Sequence, residues 1–279
     1  MRRQPPAASP AIVGADLLAL HPGRKPRRRS DLLAREEPLE IRVRGRSVAV
    51  TMRTPGHDAE LAAGFLCTEG LLRQRGDVLE IAPCQQGEAA HLGNVLNVFL
   101  APDVPVDLER LTRHVFASSS CGLCGKASIE AVRQQFPAVT ARTRISPKVL
   151  AALPSKLRAE QKAFAQTGGL HAAALFSARG KRIALHEDIG RHNAVDKVIG
   201  HAFLNRLLTL DQHVLMVSGR ASFEIVQKAL AAGIPIVAAV SAPSSLAVEF
   251  ARESGQTLVG FLRPNGMNVY THPERIAAR

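Results

Sequence analysis

The 279-residue chain has no tryptophan and a single tyrosine, and aromatic residues make up only 4% of it. A protein that grips single-stranded nucleic acid by base stacking would need more of them. No run approaches the roughly 18 uncharged apolar residues of a membrane-spanning helix, so an integral membrane protein is not expected. Four cysteines are too few for a disulfide scaffold at this size. In a reducing compartment a close pair points instead to redox chemistry, sulfur handling or metal binding. Internal repeats are not detectable. What is present looks globular: 46% apolar and 22% charged residues, in a length that suits one large domain or two ordinary ones.

The net charge is +12, and residues 1–30 carry +6 of it through Arg2, Arg3, Arg24, Lys25, Arg27, Arg28 and Arg29 against Asp16. Residues 1–38 therefore read as a flexible basic tail. The remaining body is mildly basic and suits an anionic ligand such as a phosphate. A nucleic-acid partner would rest on charge alone and is not expected. Arg2-Arg3 followed by Ala11–Leu20 imitates an export signal, but Asp16 interrupts it and no clear small-residue cleavage site follows. A cytoplasmic protein is expected.

Residues 39–143 read as a small α+β domain. Leu39–Val43 and Val48–Met52 alternate around Arg44-Gly45-Arg46 as a hairpin. Asp58 is placed to cap a helix carrying Leu61, Phe65 and Leu66, and Asn94–Leu100 reads as a strand. Ile129, Val132 and Phe136 recur at helical spacing. Residues 144–279 then alternate: a helix from Ser146-Pro147 to Gln166 broken at Pro154, strands Leu170–Ser177 and Arg182–Leu185, and a helix through Val195, Val198 and Ala202. Strand His213–Ser218, helix Ser222–Ala232, strand Pro235–Ser241, helix Ser244–Glu253 and strand Thr257–Leu262 follow. Such βαβ units make an α/β layered domain. The order α-β-β-α-β-α-β-α-β resembles the cytidine deaminase fold. Deaminases hold zinc with H-x-E and P-C-x-x-C at two helix starts. Here those places read Ile189-Gly190-Arg191-His192-Asn193 and Ser218-Gly219-Arg220-Ala221-Ser222, without cysteine. Two helix starts with Gly and Arg suit an anion better than a cation.

Three stretches can do chemistry. Cys121-Gly122-Leu123-Cys124 lies in a Ser/Gly-rich loop just before a predicted helix, where a thiol is readily ionised. A redox dithiol, half a zinc site and a carrier of persulfide sulfur all remain open for it. Cys67 follows the apolar face of the first helix and reads as a buried thiol. In Glu187–Lys197 polar residues crowd a strand-to-helix junction; Asn193 can be a helix cap, or Arg191, His192 and Asn193 can meet a phosphate. Ser218, Gly219 and Arg220 form a similar turn. Phe261-Leu262-Arg263-Pro264-Asn265-Gly266 follows the last strand, where open α/β sheets place ligands, though it can equally be a chain reversal.

Taken together, Thr54-Pro55-Gly56-His57-Asp58-Ala59-Glu60, Ser120-Cys121-Gly122-Leu123-Cys124-Gly125, Thr167-Gly168-Gly169-Leu170-His171, Glu187–Lys197, Val217-Ser218-Gly219-Arg220 and Gly260–Tyr270 closely resemble the FdhD family of formate dehydrogenase accessory sulfurtransferases. The resemblance covers roughly residues 39–276 and leaves out the basic tail. It implies a homodimeric, cytoplasmic sulfur carrier with a deaminase-like larger domain. Such a carrier accepts persulfide sulfur from a cysteine desulfurase and delivers it to the bis-molybdopterin guanine dinucleotide form of the molybdenum cofactor, bound as substrate, for formate dehydrogenase. Cys121 would be the carrier, Cys124 its partner and Phe261–Gly266 the cofactor-binding stretch. No structural metal is expected. The rival readings are a cofactor-holding chaperone without sulfur transfer and a zinc-dependent deaminase-like hydrolase.

Overall fold

Strict alternation of apolar side chains builds the central element of the molecule. In a computed structural model, which describes residues 9–85, 87, 93–107 and 136–277, a six-stranded sheet forms from β7 (His171–Ser177), β8 (Arg182–Asp188), β9 (His213–Val217), β10 (Ile236–Ala239), β11 (Thr257–Arg263) and β12 (Gly266–Thr271). Their order across the sheet is β12-β11-β10-β9-β7-β8. β9, β10 and β11 run parallel; β7 is antiparallel to both β8 and β9, and β12 is antiparallel to β11. Period-two alternation gives the inner strands β7, β9, β10 and most of β11 two buried faces. Leu175, Leu215, Val217, Val237 and Leu258 join one core, while Phe176, Val214, Met216, Ile236 and Val259 join the other.

The second face is covered by α2 (Pro147–Glu160), whose Leu150, Leu153 and Leu157 form a buried stripe. Pro154 was expected to break this helix, yet the helix runs through it and stops at Gln161, before α3 (Lys162–Thr167). Burial of the leucine stripe outweighs the one backbone hydrogen bond that proline removes. The first face carries α4 (Arg191–Leu204), α5 (Phe223–Ala231) and α6 (Ser245–Glu253).

That same core continues into the N-terminal half. A four-stranded sheet, ordered β4-β3-β6-β5, comprises β3 (Glu37–Val43), β4 (Arg46–Arg53), β5 (Val78–Pro83) and β6 (Val95–Leu100). The expected hairpin is β3–β4, and β6 is the expected strand; β5 had no clear pattern. Helix α1 (Asp58–Thr68) bridges this sheet and α4. Asp58 is not its cap: His57 holds that position in the left-handed region, and the Asp58 carboxylate instead accepts two hydrogen bonds of 3.0 Å from Arg53.

The α1–α4 crossing is unusually close because glycine meets backbone on both sides. A Cβ on Gly64 would fall on the carbonyl of Asp196, and one on Gly200 on the carbonyl of Glu60. Beneath the crossing, Lys228 pairs with Asp196 at 2.8 Å, and Thr68 donates to the same carboxylate at 2.9 Å. Both charged groups are buried, so each depends on the other for solvation.

Residues 12–34 correct the expectation of a flexible tail. They form a two-stranded antiparallel hairpin, β1 (Ile12–Ala19) with β2 (Arg27–Ala34), in which Arg27, Arg28 and Arg29 lie opposite Ala19, Leu18 and Leu17. Its Leu18, Leu20, Leu32 and Leu33 are exposed. Among the described residues no helix is long and apolar enough to cross a membrane.

Candidate functional site

Sheet polarity decides what can meet. β8, β9, β10 and β11 all end at the same edge, so the turns that follow them share it. Backbone contacts tie these turns into a row. Ser241 N–H donates to Gly219 O at 3.4 Å, Phe261 N–H donates to Ser241 O at 3.1 Å, and Ser244 N–H donates to Ala221 O at 3.0 Å. Arg191 and His192, Ser218 to Arg220, and Phe261 to Arg263 therefore follow strands that end at one edge.

The start of α4 splits into two roles. Asp188, Asn193 and Lys197 point into the joint with the N-terminal half. The Asn193 amide donates to Met52 O at 2.7 Å and to Asp188 at 3.0 Å, and its oxygen accepts from Thr51 at 3.2 Å. Lys197 reaches Asp188 at 2.7 Å and Thr54 O at 2.8 Å, and both charges are buried. Asn193 neither caps the helix, which begins at Gly190 without a side-chain cap, nor is left free for a ligand. Its role is to fasten the two halves.

Arg191 and His192 stand at the open edge. The Arg191 Nε is buried and has no hydrogen-bond partner among the described residues. A guanidinium N–H left in that state is costly, and an anion would satisfy it. His192 Nε2 lies 3.4 Å from Ser222 Oγ and 3.9 Å from Glu224. Burial, then the nearby charges of Lys228 and Arg191, push the His192 imidazole down to about 4. His171 is lowered too, by burial first and then by Arg191 and Arg220. Both rings are held toward the neutral form chiefly by burial, and next by the positive groups around them.

The Ser222 start of α5 also lacks a side-chain cap, whereas α2 and α6 are capped by Ser146 and Ser244. The starts of α4 and α5 thus keep N–H groups free of a side-chain cap, as α1 and α3 also do. Gly219 has a specific reason to be glycine: a Cβ there would sit 3.2 Å from His171 Nδ1. His171 and Ser222 lie inside the motif stretches without a role of their own there, and Glu224 lies in no motif. Only the strand pairing brings them to Arg191 and Arg220.

Ser218 Oγ accepts the Ala172 N–H at 2.8 Å and so helps to fix β9 against β7. In the third stretch, Leu262 is fully buried in the core and is not exposed to a ligand. Phe261 adopts φ +49°, is 45% exposed and turns its ring toward solvent. Arg263 donates to the carbonyls of Val240 and Leu262, bracing the β11–β12 hairpin. Pro264 and Asn265 are its two-residue loop, and Gly266 opens β12. This stretch is both a chain reversal and an edge of the site. Cys121 and Cys124 lie outside the described residues. Cys67 is buried, and burial pushes its thiol up to about 12.

A family profile described as FdhD/NarQ matches residues 34–277. The chain is 54% identical to the sulfur carrier protein FdhD of Streptomyces coelicolor over 90% of its length and 91% of that protein. It is 56% identical to the protein of that name from Mycobacterium tuberculosis, over 89% of this chain and 92% of the other. A crystal structure of a proposed formate dehydrogenase accessory protein from Desulfotalea psychrophila matches with a TM-score of 0.76 at 27% identity, covering 96% of this chain and 100% of the other. With its edge of arginines and uncapped helix starts on a mixed α/β frame, the chain belongs to the FdhD/NarQ family.

Proposed function

We propose that the protein is a sulfur carrier for formate dehydrogenase that loads sulfur on Cys121 and gives it to a molybdenum cofactor bound along the sheet edge. The names of its relatives support the carrier role and the link to formate dehydrogenase. The observation that carries the binding half is the buried, unpartnered Arg191 Nε between two uncapped helix starts. A bis-molybdopterin guanine dinucleotide cofactor presents two pyrophosphates, which suit Arg191, Arg220 and those N–H groups. The exposed Phe261 ring offers a face for a planar base. The sheet order β8-β7-β9-β10-β11 supports a deaminase-like frame whose metal positions now serve an anion.

In the transfer, a Cys121 thiolate attacks the outer sulfur of the persulfide on a cysteine desulfurase. The S–S bond of the donor breaks, its thiolate leaves, and Cys121 becomes the persulfide. Cys124 stands three positions on; its thiolate attacks the inner sulfur of the persulfide, the outer sulfur leaves as hydrosulfide to the molybdenum cofactor, and the Cys121–Cys124 disulfide that remains is reopened by a thiol reductant. A homodimeric state is supported by the leucines that the β1–β2 hairpin leaves exposed, Leu18, Leu20, Leu32 and Leu33, which a second copy would cover; sedimentation of a chain lacking residues 1–34 tests it, with a monomer expected.

Guanosine diphosphate titration tests the binding half. Arg191→Gln removes a charge-assisted contact worth about 1.5–3 kcal/mol, so affinity should fall about ten- to hundredfold. Equal affinity in wild type and variant would move the phosphates away from this edge.

A further inference from the structure

A second polar cluster lies about 15 Å along α4 from Arg191, at the other end of the helix. It is built by three elements that the Gly64–Gly200 crossing brings together. His57 and Glu60 come from the first turn of α1, His186 from β8 and His201 from the last turn of α4. One ligand-capable atom each of His57, Glu60 and His186 lies within 4.8 Å of the others. The His186 ring is 4.3 Å from that of His57 and 5.9 Å from that of His201, centre to centre. His186 is 93% buried, and its Nε2 has no hydrogen-bond partner among the described residues. A buried imidazole nitrogen without a partner is an unmet need that a hydrogen-bonded core does not leave.

From this juxtaposition we infer that His57, Glu60 and His186, with His201 in reach as a fourth ligand, form a binding site for one divalent transition cation of the zinc class. The donor set is imidazole nitrogen and carboxylate oxygen, which zinc takes at about 2.0–2.2 Å. Closing the present spacing to such a shell requires a shift of about 1 Å, which the exposed His57 side chain can make by rotation. Lys197 lies near His186 and is paired with Asp188 at 2.7 Å. No thiolate belongs to the cluster, and it lies away from the two helix starts where a deaminase would hold zinc. A metal here would pin α1 to β8 and α4, stabilising the joint between the halves.

Equilibrium dialysis of the chelator-stripped chain against zinc chloride tests this, in a Cys121→Ser/Cys124→Ser background so that the dithiol does not take the metal. About one equivalent should bind, and the cobalt-loaded chain should lack the near-ultraviolet band of thiolate ligation. His57→Asn, which keeps a residue tolerant of the left-handed backbone, and Glu60→Gln should each weaken binding at least about tenfold. His186→Gln should abolish it, and if that variant does not fold the two surface variants still decide. Substoichiometric zinc in the parent chain, or unchanged affinity in both His57→Asn and Glu60→Gln, would overturn the site.

Discussion

Replacing Gly64 by alanine sets two physical effects against each other, and the structure says which wins. Within a helix interior, glycine to alanine should stabilise by about 1 kcal/mol through propensity alone. At the α1–α4 crossing, however, the new methyl would fall on the Asp196 carbonyl, with its carbon at 2.6 Å and the Gly200 nitrogen at 2.9 Å. Ordinary contact begins near 3.4 Å, so the helices must part by well over an ångström to clear the Asp196 oxygen, and the atoms in the way are backbone that cannot swing aside. Overpacking of this kind costs about 1–3 kcal/mol. Displacing Asp196 also loosens its buried pair with Lys228, for which loss of one partner costs about 3–5 kcal/mol in full. A net destabilisation of about 3 kcal/mol is expected, lowering Tm by about 6–12 °C at this chain length. Urea denaturation followed by circular dichroism measures it. Gly14→Ala, where a Cβ meets nothing within 4 Å, serves as the control. A Gly64→Ala variant as stable as wild type, or more so, would refute the close-crossing argument.

Other outcomes follow from the buried groups. His192, held near 4 by burial and by Lys228 and Arg191, takes up its proton later than the unfolded chain does as pH falls from about 6.5 to 4. Stability should therefore fall with pH through that window by up to about 1.4 kcal/mol per unit from this one group, and urea unfolding of His192→Gln should show a shallower slope. An unchanged slope would remove His192 from the account. Cys67, with its thiol near 12, should resist alkylation in the folded chain at pH 8, and Cys67→Ala should load sulfur normally; rapid native alkylation at Cys67 would contradict its burial.

Much of the C-terminal half could be read from sequence because its strands are short apolar runs punctuated by glycine, serine and helix caps. Ser244 is an example: it was read as the start of a helix and indeed caps α6. Three failures have physical causes. The β1–β2 hairpin carries its basic residues at exposed strand positions, so charge density resembled a solvated tail. Pro154 resembled a helix break, but three leucines on one face hold the helix together across it. Asn193 and Leu262 sit inside motifs whose neighbours line the edge, yet their own side chains are committed to the joint and the core. Motif membership alone does not say which way a side chain turns. The His57–Glu60–His186 cluster is invisible for a related reason: His186 is 126 or more residues from Glu60 and His57, and no local spacing announces their meeting.

The account stands on one reaction in which Cys121 carries sulfur and the arginine edge holds its acceptor. Intact-mass analysis tests both parts at once, with the chain incubated with a cysteine desulfurase and cysteine and then chased with the molybdenum cofactor. Wild type should gain sulfur in steps of about 32 Da and lose it in the chase. Cys121→Ala should gain none, and Arg191→Gln should gain it but discharge slowly. Normal loading of Cys121→Ala, or discharge of Arg191→Gln at the wild-type rate, would contradict the central claim.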